Sequence, residues 1–369
     1  MKKKKICFIA QFPPPMHGLS KAVETLYNSN LSKQFDFEKV DITNNKRFLR
    51  NLIKIWKSKA DLFYFTISQT RGGNIRDLII LKLLSLQNKK CLIHLHGGYY
   101  RKLVDFELQG WQKKMNYKAI NNLAGVIVLG PALKSIFQGM INEDKIFVVP
   151  NCVDDVFLMS DTEFEEKVSA IFQKEVLHVL YLSNFIRSKG YPEVLEMAKR
   201  EKERVATGSK KRLHFNFAGK FFEDSERQFF ESYIKENELQ EFITYHGIVD
   251  GQRKKDLLKQ SDIFILLTRY PNEGQPISIL EAMGNGMVIV TTNHAGIPDI
   301  VEDGVNGIVL SLDNKIYINT LLNNIVSIFR DNNATRMIIN NRKCVEKKYK
   351  QDCYITNMHE ILKLILREN

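Results

Sequence analysis

Two glutamates, Glu273 and Glu281, enclose seven residues in the stretch RYPNEGQPISILEAMGNGMVIVTT. The apolar run Asp262–Leu267 before them reads as a strand, and Glu273-Gly274-Gln275-Pro276 as the loop that leaves it. A helix is expected to open at Pro276, because a proline at the first helical position sacrifices no backbone donor that the helix would use. Glu281 would then project from that helix over the crevice that Glu273 faces from the loop. Between the two carboxylates lie Gly274 and the unpaired N–H groups of the helix start, around Ile277, which suit a phosphate or diphosphate. Carboxylates accept hydrogen bonds from vicinal hydroxyls, as the acidic residue of a dinucleotide site does from a ribose. Two acids flanking an anion cradle fit a ligand with sugar, diphosphate and ribose parts. A loop acid and a solvated helix acid would leave the same spacing, so the pattern is read together with Pro276, Ala282, Met283 and Gly286.

Other positions carry chemistry with less definition. Gly18 lies in the loop Gln11–Ser20, after His17, and would let backbone approach a ligand at a helix start; a structural turn is the competing account. His94 and His96 alternate along a strand and share a face, with Gly97-Gly98 after them. The pair raises a metal site, yet no acidic or cysteine cluster completes a ligand set. His94 reads as a core histidine and His96, at the strand's C-terminal end, as a site residue. The loop Ser183–Gly190 holds Asn184, Arg187 and Lys189, and Gly219 and Gly247 each follow a strand, where glycine is common.

These positions need a scaffold, and the chain alternates strand and helix patterns to supply it. Strands are expected at Lys5–Ala10, Phe35–Ile42, Asp61–Ile67, Lys90–Leu95, Gly125–Leu129 and Lys145–Val149. A second series follows at Val176–Ser183, Leu213–Ala218, Phe242–His246, Asp262–Leu267, Met287–Thr291 and Gly307–Leu310. Several are near-continuous apolar runs, as strands buried on both faces are, and helical patterns separate most of them. The expectation is α/β with two Rossmann-like domains. The acidic stretch Asp155–Lys174 reads as a less ordered linker, giving domains at residues 1–165 and 175–351, with a last helix over Asp352–Leu366.

A length of 369 residues favours two domains, and 44% hydrophobic residues suffice for a core in each. Five cysteines without regular spacing read as reduced thiols. The basic start Lys2–Lys5 is followed by an apolar run too short for an export signal, and no apolar stretch reaches the ~18 residues of a membrane span. A cytoplasmic chain is expected. The net charge of +12 points to anionic partners; without zinc-finger spacing or aromatic RNA signatures, nucleic acid is not among the expected ones. The segment Lys46–Lys59 separates an apolar side (Phe48, Leu49, Leu52, Ile53, Ile55, Trp56) from a basic one. Such a helix either packs its apolar face on its own sheet or lies on anionic lipid.

The Glu-x7-Glu spacing, followed by Ala-Met-x-x-Gly and a strand, resembles the donor-site signature of retaining GT-B glycosyltransferases of the glycosyltransferase group 1 (GT4-like) family. Pro150-Asn151-Cys152-Val153-Asp154 is similar to the segment that closes that family's N-domain, with Cys152 in place of glycine. The resemblance implies a GT-B fold: two Rossmann-like domains facing a central cleft, with a terminal helix, 352–369, crossing back to the N-domain. It places Glu273 near the donor sugar, Glu281 on the ribose hydroxyls, His96 near the reacting carbon and Lys189 on the diphosphate; Gly274, Gln275, Ile277, Gly18 and Gly247 would line the donor. Asn184 stands where the family carries arginine, a charge that Arg187 could supply. The implied activity is transfer of a hexose-type sugar from a UDP- or GDP-sugar, with retention and without a required metal or other cofactor. The acceptor would be a glycan or an undecaprenyl-linked lipid in bacterial surface polysaccharide synthesis, met at the inner face of the plasma membrane, with the 46–59 helix as a contact to anionic lipid. Two rivals remain at this point: a sugar-nucleotide epimerase of the same fold, and a catalytically weak binding subunit.

Overall fold

The computed structural model describes residues 3–14, 18–312, 316–331 and 333–367. The chain divides into two compact units: residues 1–152, 272–275 and 351–369 form the first, and 153–271 with 276–350 the second.

In the first unit, strands β1 (Lys5–Ala10), β2 (Asp36–Asp41), β3 (Leu62–Thr66), β4 (Cys91–His94), β5 (Gly125–Val128) and β6 (Ile146–Val148) form one parallel sheet in the order β2-β1-β3-β4-β5-β6. Its helices are α1 (Gly18–Tyr27), α2 (Phe48–Lys57), α3 (Arg71–Leu86), the short α4 (Tyr100–Lys102) that runs into a π-turn, and α5 (Gly110–Asn121). Every residue of β3, β4 and β5 is buried. That explains why these strands are continuous apolar runs: helices cover both faces of the sheet, so neither side chain series meets water.

The second unit repeats the plan with β7 (Leu177–Leu182), β8 (Leu213–Ala218), β9 (Ile243–Tyr245), β10 (Ile263–Leu266), β11 (Val288–Thr292) and β12 (Gly307–Leu310), again all parallel, in the order β12-β11-β10-β7-β8-β9. Its helices are α6 (Asp161–Ala170), α7 (Tyr191–Ala206), α8 (Asp224–Glu236), α9 (Gly251–Gln260), α10 (Ile277–Gly284), α11 (Ile318–Arg330) and α12 (Asn333–Lys348). The twelve strands lie where their hydrophobic runs predict, with ends shifted by about a residue. The last helix, α13 (Gln351–Arg367), belongs to the first unit: Tyr354, Met358, Leu362 and Ile365 join the core made by α1 and the sheet.

Two expectations need correction, and the open reading of the 46–59 helix is narrowed. The stretch 155–174 is not a less ordered linker but largely helical. Ser160 caps α6 in a reciprocal pair with Glu163, so two of the N–H groups that a helix start leaves unbonded are satisfied. Pro276 is not the first helical residue; it is the N-cap, extended at ψ 118°, and α10 begins at Ile277. The apolar side of α2 packs inward only in part, with Ile55 buried and Phe48 and Leu52 half-buried. Asn51 and Ile55 are its buried residues, while Leu49, Ile53 and Trp56 are exposed.

Candidate functional site

In the second unit the strand order runs outward in both directions from the pair β7 and β10. Open α/β sheets bind ligands beyond the carboxyl ends of the strands at such a reversal. The loop Ser183–Gly190 leaves β7 there, and residues 267–271 leave β10. The two are laced together: the Arg269 N–H donates to Ser188 O. A Cβ on Gly190 would stand 2.5 Å from Leu267 O, and its φ is +84°. Only glycine permits that approach. Lys189 is thereby fixed with its ammonium 5.0 Å over the Tyr270 ring.

The other residues of this loop do not join it. Arg187 contacts Glu226 at 3.3 Å and lies 4.4 Å above the Phe229 ring of α8. The Asn184 side chain is exposed, and its carbonyl accepts the Tyr181 hydroxyl at 3.0 Å. Arg269, in the loop after β10, was passed over by sequence reading; like Arg187 it is engaged by a carboxylate, Glu193, at 2.8 Å. Its signal was present, since it lies three residues beyond a strand that ends at the reversal. Gly247 also lies after a strand, with φ +71°, and accepts the Gly219 N–H at 2.8 Å. A Cβ there would meet nothing, whereas one on Gly219 would stand 1.9 Å from Ser183 O.

Beyond β10 the chain enters α10, whose start has no side-chain cap. The backbone N–H groups of Ile277 and Ser278 therefore keep the donor capacity of a helix N-terminus. One turn on, Glu281 is buried and receives Lys254 Nζ of α9 on Oε1 at 2.7 Å. The same ammonium lies 4.2 Å over the Phe157 ring. Burial pushes the Glu281 carboxyl above the usual range, Lys254 opposes that shift, and Asp154 and Asp250 add to it. Lys254 is thus what favours a charged carboxylate in this place. Nothing in the sequence pairs it with a residue 27 positions away.

The loop residues 272–275 group with the first unit. There Gly274 lies against the backbone of His96 and Gly97: a Cβ on it would be 2.7 Å from His96 O and 3.0 Å from Gly97 Cα. A Cβ on Gly97 would in turn be 2.7 Å from Asn272 O. The facing glycines bring Glu273, which is buried, into the neighbourhood of half-buried His96. Gln275 holds the loop in place. Its amide Nε2 donates to Leu129 O at 3.2 Å, its Oε1 accepts the Asn151 N–H at 2.8 Å, and its carbonyl accepts Asn151 Nδ2 at 2.9 Å.

His94 is a core residue, as expected. Its Nδ1 is 2.7 Å from the Tyr64 hydroxyl, and burial beside His96 holds its pKa well below the ordinary imidazole value. The two imidazoles stack with centroids 3.9 Å apart. No group of three or more potential ligands for a metal ion occurs among the described residues. Gly18 is the first residue of α1; residues 15–17 of its loop, His17 included, lie outside the described residues.

The family model for glycosyl transferases group 1 matches residues 161–344. An uncharacterized 41.2 kDa protein in the cps region of Klebsiella pneumoniae is 28% identical over 295 residues, covering 68% of this chain and 75% of that protein. The amylovoran biosynthesis glycosyltransferase AmsK of Erwinia amylovora is 33% identical over 78 residues, 20% of this chain and 19% of that protein. In fold, the chain is similar to Anabaena HepE, crystallised in complex with UDP, with a TM-score of 0.73 and 15% identity over 98% of this chain and 100% of that one.

Proposed function

We propose a donor, an acceptor class and residue roles for this chain, which belongs to the glycosyl transferases group 1 family, has the GT-B fold and is a glycosyltransferase. The proposed reaction is transfer of a sugar, with retention, from a UDP- or GDP-sugar to a glycan or undecaprenyl-linked acceptor during surface polysaccharide assembly. The observation that carries the donor reading is Glu281: a buried carboxyl whose Oε1 receives Lys254 Nζ at 2.7 Å, one turn into a helix whose N-terminus has no side-chain cap. A carboxylate so held accepts from two vicinal hydroxyls, and the N–H groups of the helix start donate to a diphosphate. UDP in the HepE structures favours a uridine donor. The cps and amylovoran relatives favour the polysaccharide pathway. An acceptor anchored in lipid would place the enzyme at the inner face of the plasma membrane.

The chemical task is to stabilise a departing nucleoside diphosphate while an oxocarbenium-like sugar forms. Lys189, fixed by Gly190, supplies the positive charge, with the dipole of α10 behind it; dipoles that need no reorganisation are effective in this role. Glu281 holds the ribose. Glu273 orients the sugar and is not assigned as a nucleophile, and His96 shares its neighbourhood near the reacting carbon.

A thermal-shift screen across UDP- and GDP-sugars tests the reading. The cognate donor raises the melting temperature by mass action, and the Glu281→Gln variant loses most of that rise. A screen in which no nucleotide-sugar stabilises the protein would overturn it. A weak binding subunit is the second reading, favoured by the exposed Asn184 and the engagement of Arg187 by Glu226. Donor binding with neither transfer nor epimerised product selects that alternative.

A further inference from the structure

Both tryptophans of the chain, Trp56 and Trp111, are more than half exposed, at 52% and 54%, and both stand on the same set of helices. Three helices of the first unit, α2, α3 and α5, pack side by side. Gln87 at the end of α3 donates to Trp56 O at 2.9 Å, and buried Asn74 and Asn116 exchange hydrogen bonds between α3 and α5. Each helix turns a large apolar stripe to water at helical spacing: Leu49, Ile53 and Trp56 on α2, Ile75, Ile79 and Leu86 on α3, and Trp111 with Met115 on α5. Leu49 is 75% exposed, and Phe106, ahead of α5, 79%. Scattered apolar residues are normal on a surface, but three adjacent stripes are not.

The charges around the stripes are of one sign. Arg50, Lys54 and Lys57 on α2, Lys82 on α3 and Lys118 on α5 are exposed. The three helices contain a single carboxylate, Asp77, which is buried against Arg76. The acids just before α5 are already engaged, Asp105 by Lys113 and Glu107 by Arg71. Between α3 and α5 opens a cavity of about 760 Å³. Leu78, Leu81, Met115 and Leu123 line it, and Lys82 and Lys118 stand in its wall. Apolar walls with lysine ammonium groups match a phosphate that carries hydrocarbon.

We propose that the outer face of α2, α3 and α5 is a docking surface for an anionic lipid bilayer, and that the cavity between α3 and α5 seats the phosphate end of one lipid. The stripes supply burial in the acyl region, the tryptophans sit at headgroup depth, and the lysines reach the phosphates along their own apolar stems. The inference deepens the lipid-linked acceptor reading, but it uses none of the residues assigned to transfer.

The two tryptophans make the test direct, with wild-type protein and no donor or acceptor present. Phosphatidylglycerol-containing vesicles shift the emission to the blue, and quencher-bearing lipids reduce it. Phosphatidylcholine vesicles alone do neither, and raising salt from about 0.1 to 0.5 M weakens binding about tenfold as the charges are screened. Trp56→Phe and Trp111→Phe assign the signal to each helix. Ile53→Asp lowers vesicle affinity about tenfold by breaking one stripe, and Lys82→Glu with Lys118→Glu does the same through the cavity. Unchanged emission of both tryptophans with anionic vesicles at low salt overturns the proposal. So does a concentration-dependent blue shift without vesicles, which would assign the face to a second copy of the chain. If glycerol 1-phosphate alone shifts Trp111, the cavity takes a free phosphoester and the bilayer assignment falls. Vesicle binding without sugar transfer sinks the proposed reaction and leaves the surface standing; transfer without vesicle binding does the reverse.

Discussion

Replacing Lys254 by methionine separates what the Glu281 pair does for stability from what it does for the donor. The ammonium lies 2.7 Å from the carboxylate, with 18% of the lysine side chain and 5% of the glutamate exposed. Removing one partner of a buried pair costs about 3–5 kcal/mol, and the lower figure applies here because the lysine keeps some solvent. About 3 kcal/mol corresponds to a drop of roughly 6–12 °C in the melting temperature of a domain of this size. The loss depends on pH with a definite sign. Burial already sets the Glu281 pKa above its unfolded value, and losing Lys254 raises it further. The folded state then holds a proton that the unfolded state has released, so stability falls as pH rises from about 4.3 through the folded pKa. Chemical denaturation at several values between about pH 5 and pH 8 should therefore show a deficit that grows with pH. Adding Glu281→Gln removes the buried charge, so the double variant is more stable than Lys254→Met alone, while donor binding stays weakened. A deficit independent of pH, or a double variant no more stable than the single one, would refute the assignment of Lys254 as the group that keeps Glu281 charged.

Within the proposed donor site, Glu281→Ala should raise the donor Kd about 10–100-fold, the worth of hydrogen bonds to a charged group. Glu273→Ala should mainly lower kcat; unchanged kinetics in both variants sinks the roles given to them. Gly219→Ala places a methyl 1.9 Å from Ser183 O at φ +148° and should cost at least about 3 kcal/mol in urea titration. Gly247→Ala, also at positive φ but in open space, should cost only about 1 kcal/mol; equal costs would show that close approach is not what selects glycine at 219. Lys167 is buried, donates to Asn285 O at 2.7 Å, and has its pKa lowered to about 7 by that burial. Its folded pKa lies below the unfolded one, so between them the unfolded state binds more protons and stability rises with pH. Lys167→Met should flatten that rise above about pH 7; parallel pH curves for variant and wild type would count against it.

The strands and the principal loop were legible because they rest on local rules. A strand buried on both faces needs an unbroken apolar run, and a ligand loop at its end needs glycine. The proposed site residues came from other signals, Glu273 and Glu281 from their spacing, Lys189 and Gly190 from the family resemblance. The cap of α6 was equally local, with Ser160 and Glu163 three apart, and was lost only because an acidic composition was read as disorder. What sequence could not supply were partners chosen by the fold. Lys254 reaches Glu281, and Glu226 takes Arg187, across 27 and 39 positions. Neither spacing has a rule behind it, and each decides whether a named charge is available to a ligand.

The helix α2 shows the same limit in one element. Its period established two faces and left open whether the apolar one packs on the sheet or meets lipid. The face that packs holds Phe48, Leu52 and Ile55 together with Asn51, whose amide donates to Asp41 O at 2.8 Å. Asp41 is the last residue of β2, an edge strand, so its carbonyl has no further strand to bond and takes the amide from the helix above it. A buried carbonyl without a partner costs about 1–3 kcal/mol, which is comparable to the gain from burying one more large apolar side chain, about 1.5–3 kcal/mol. With Ile55 also inside, the packed face satisfies the strand end and still removes hydrocarbon from water. Leu49, Ile53 and Trp56, the other half of the same apolar arc, are left outside by that choice, and their exposure is therefore a property of the fold that the hydrophobic pattern alone does not give.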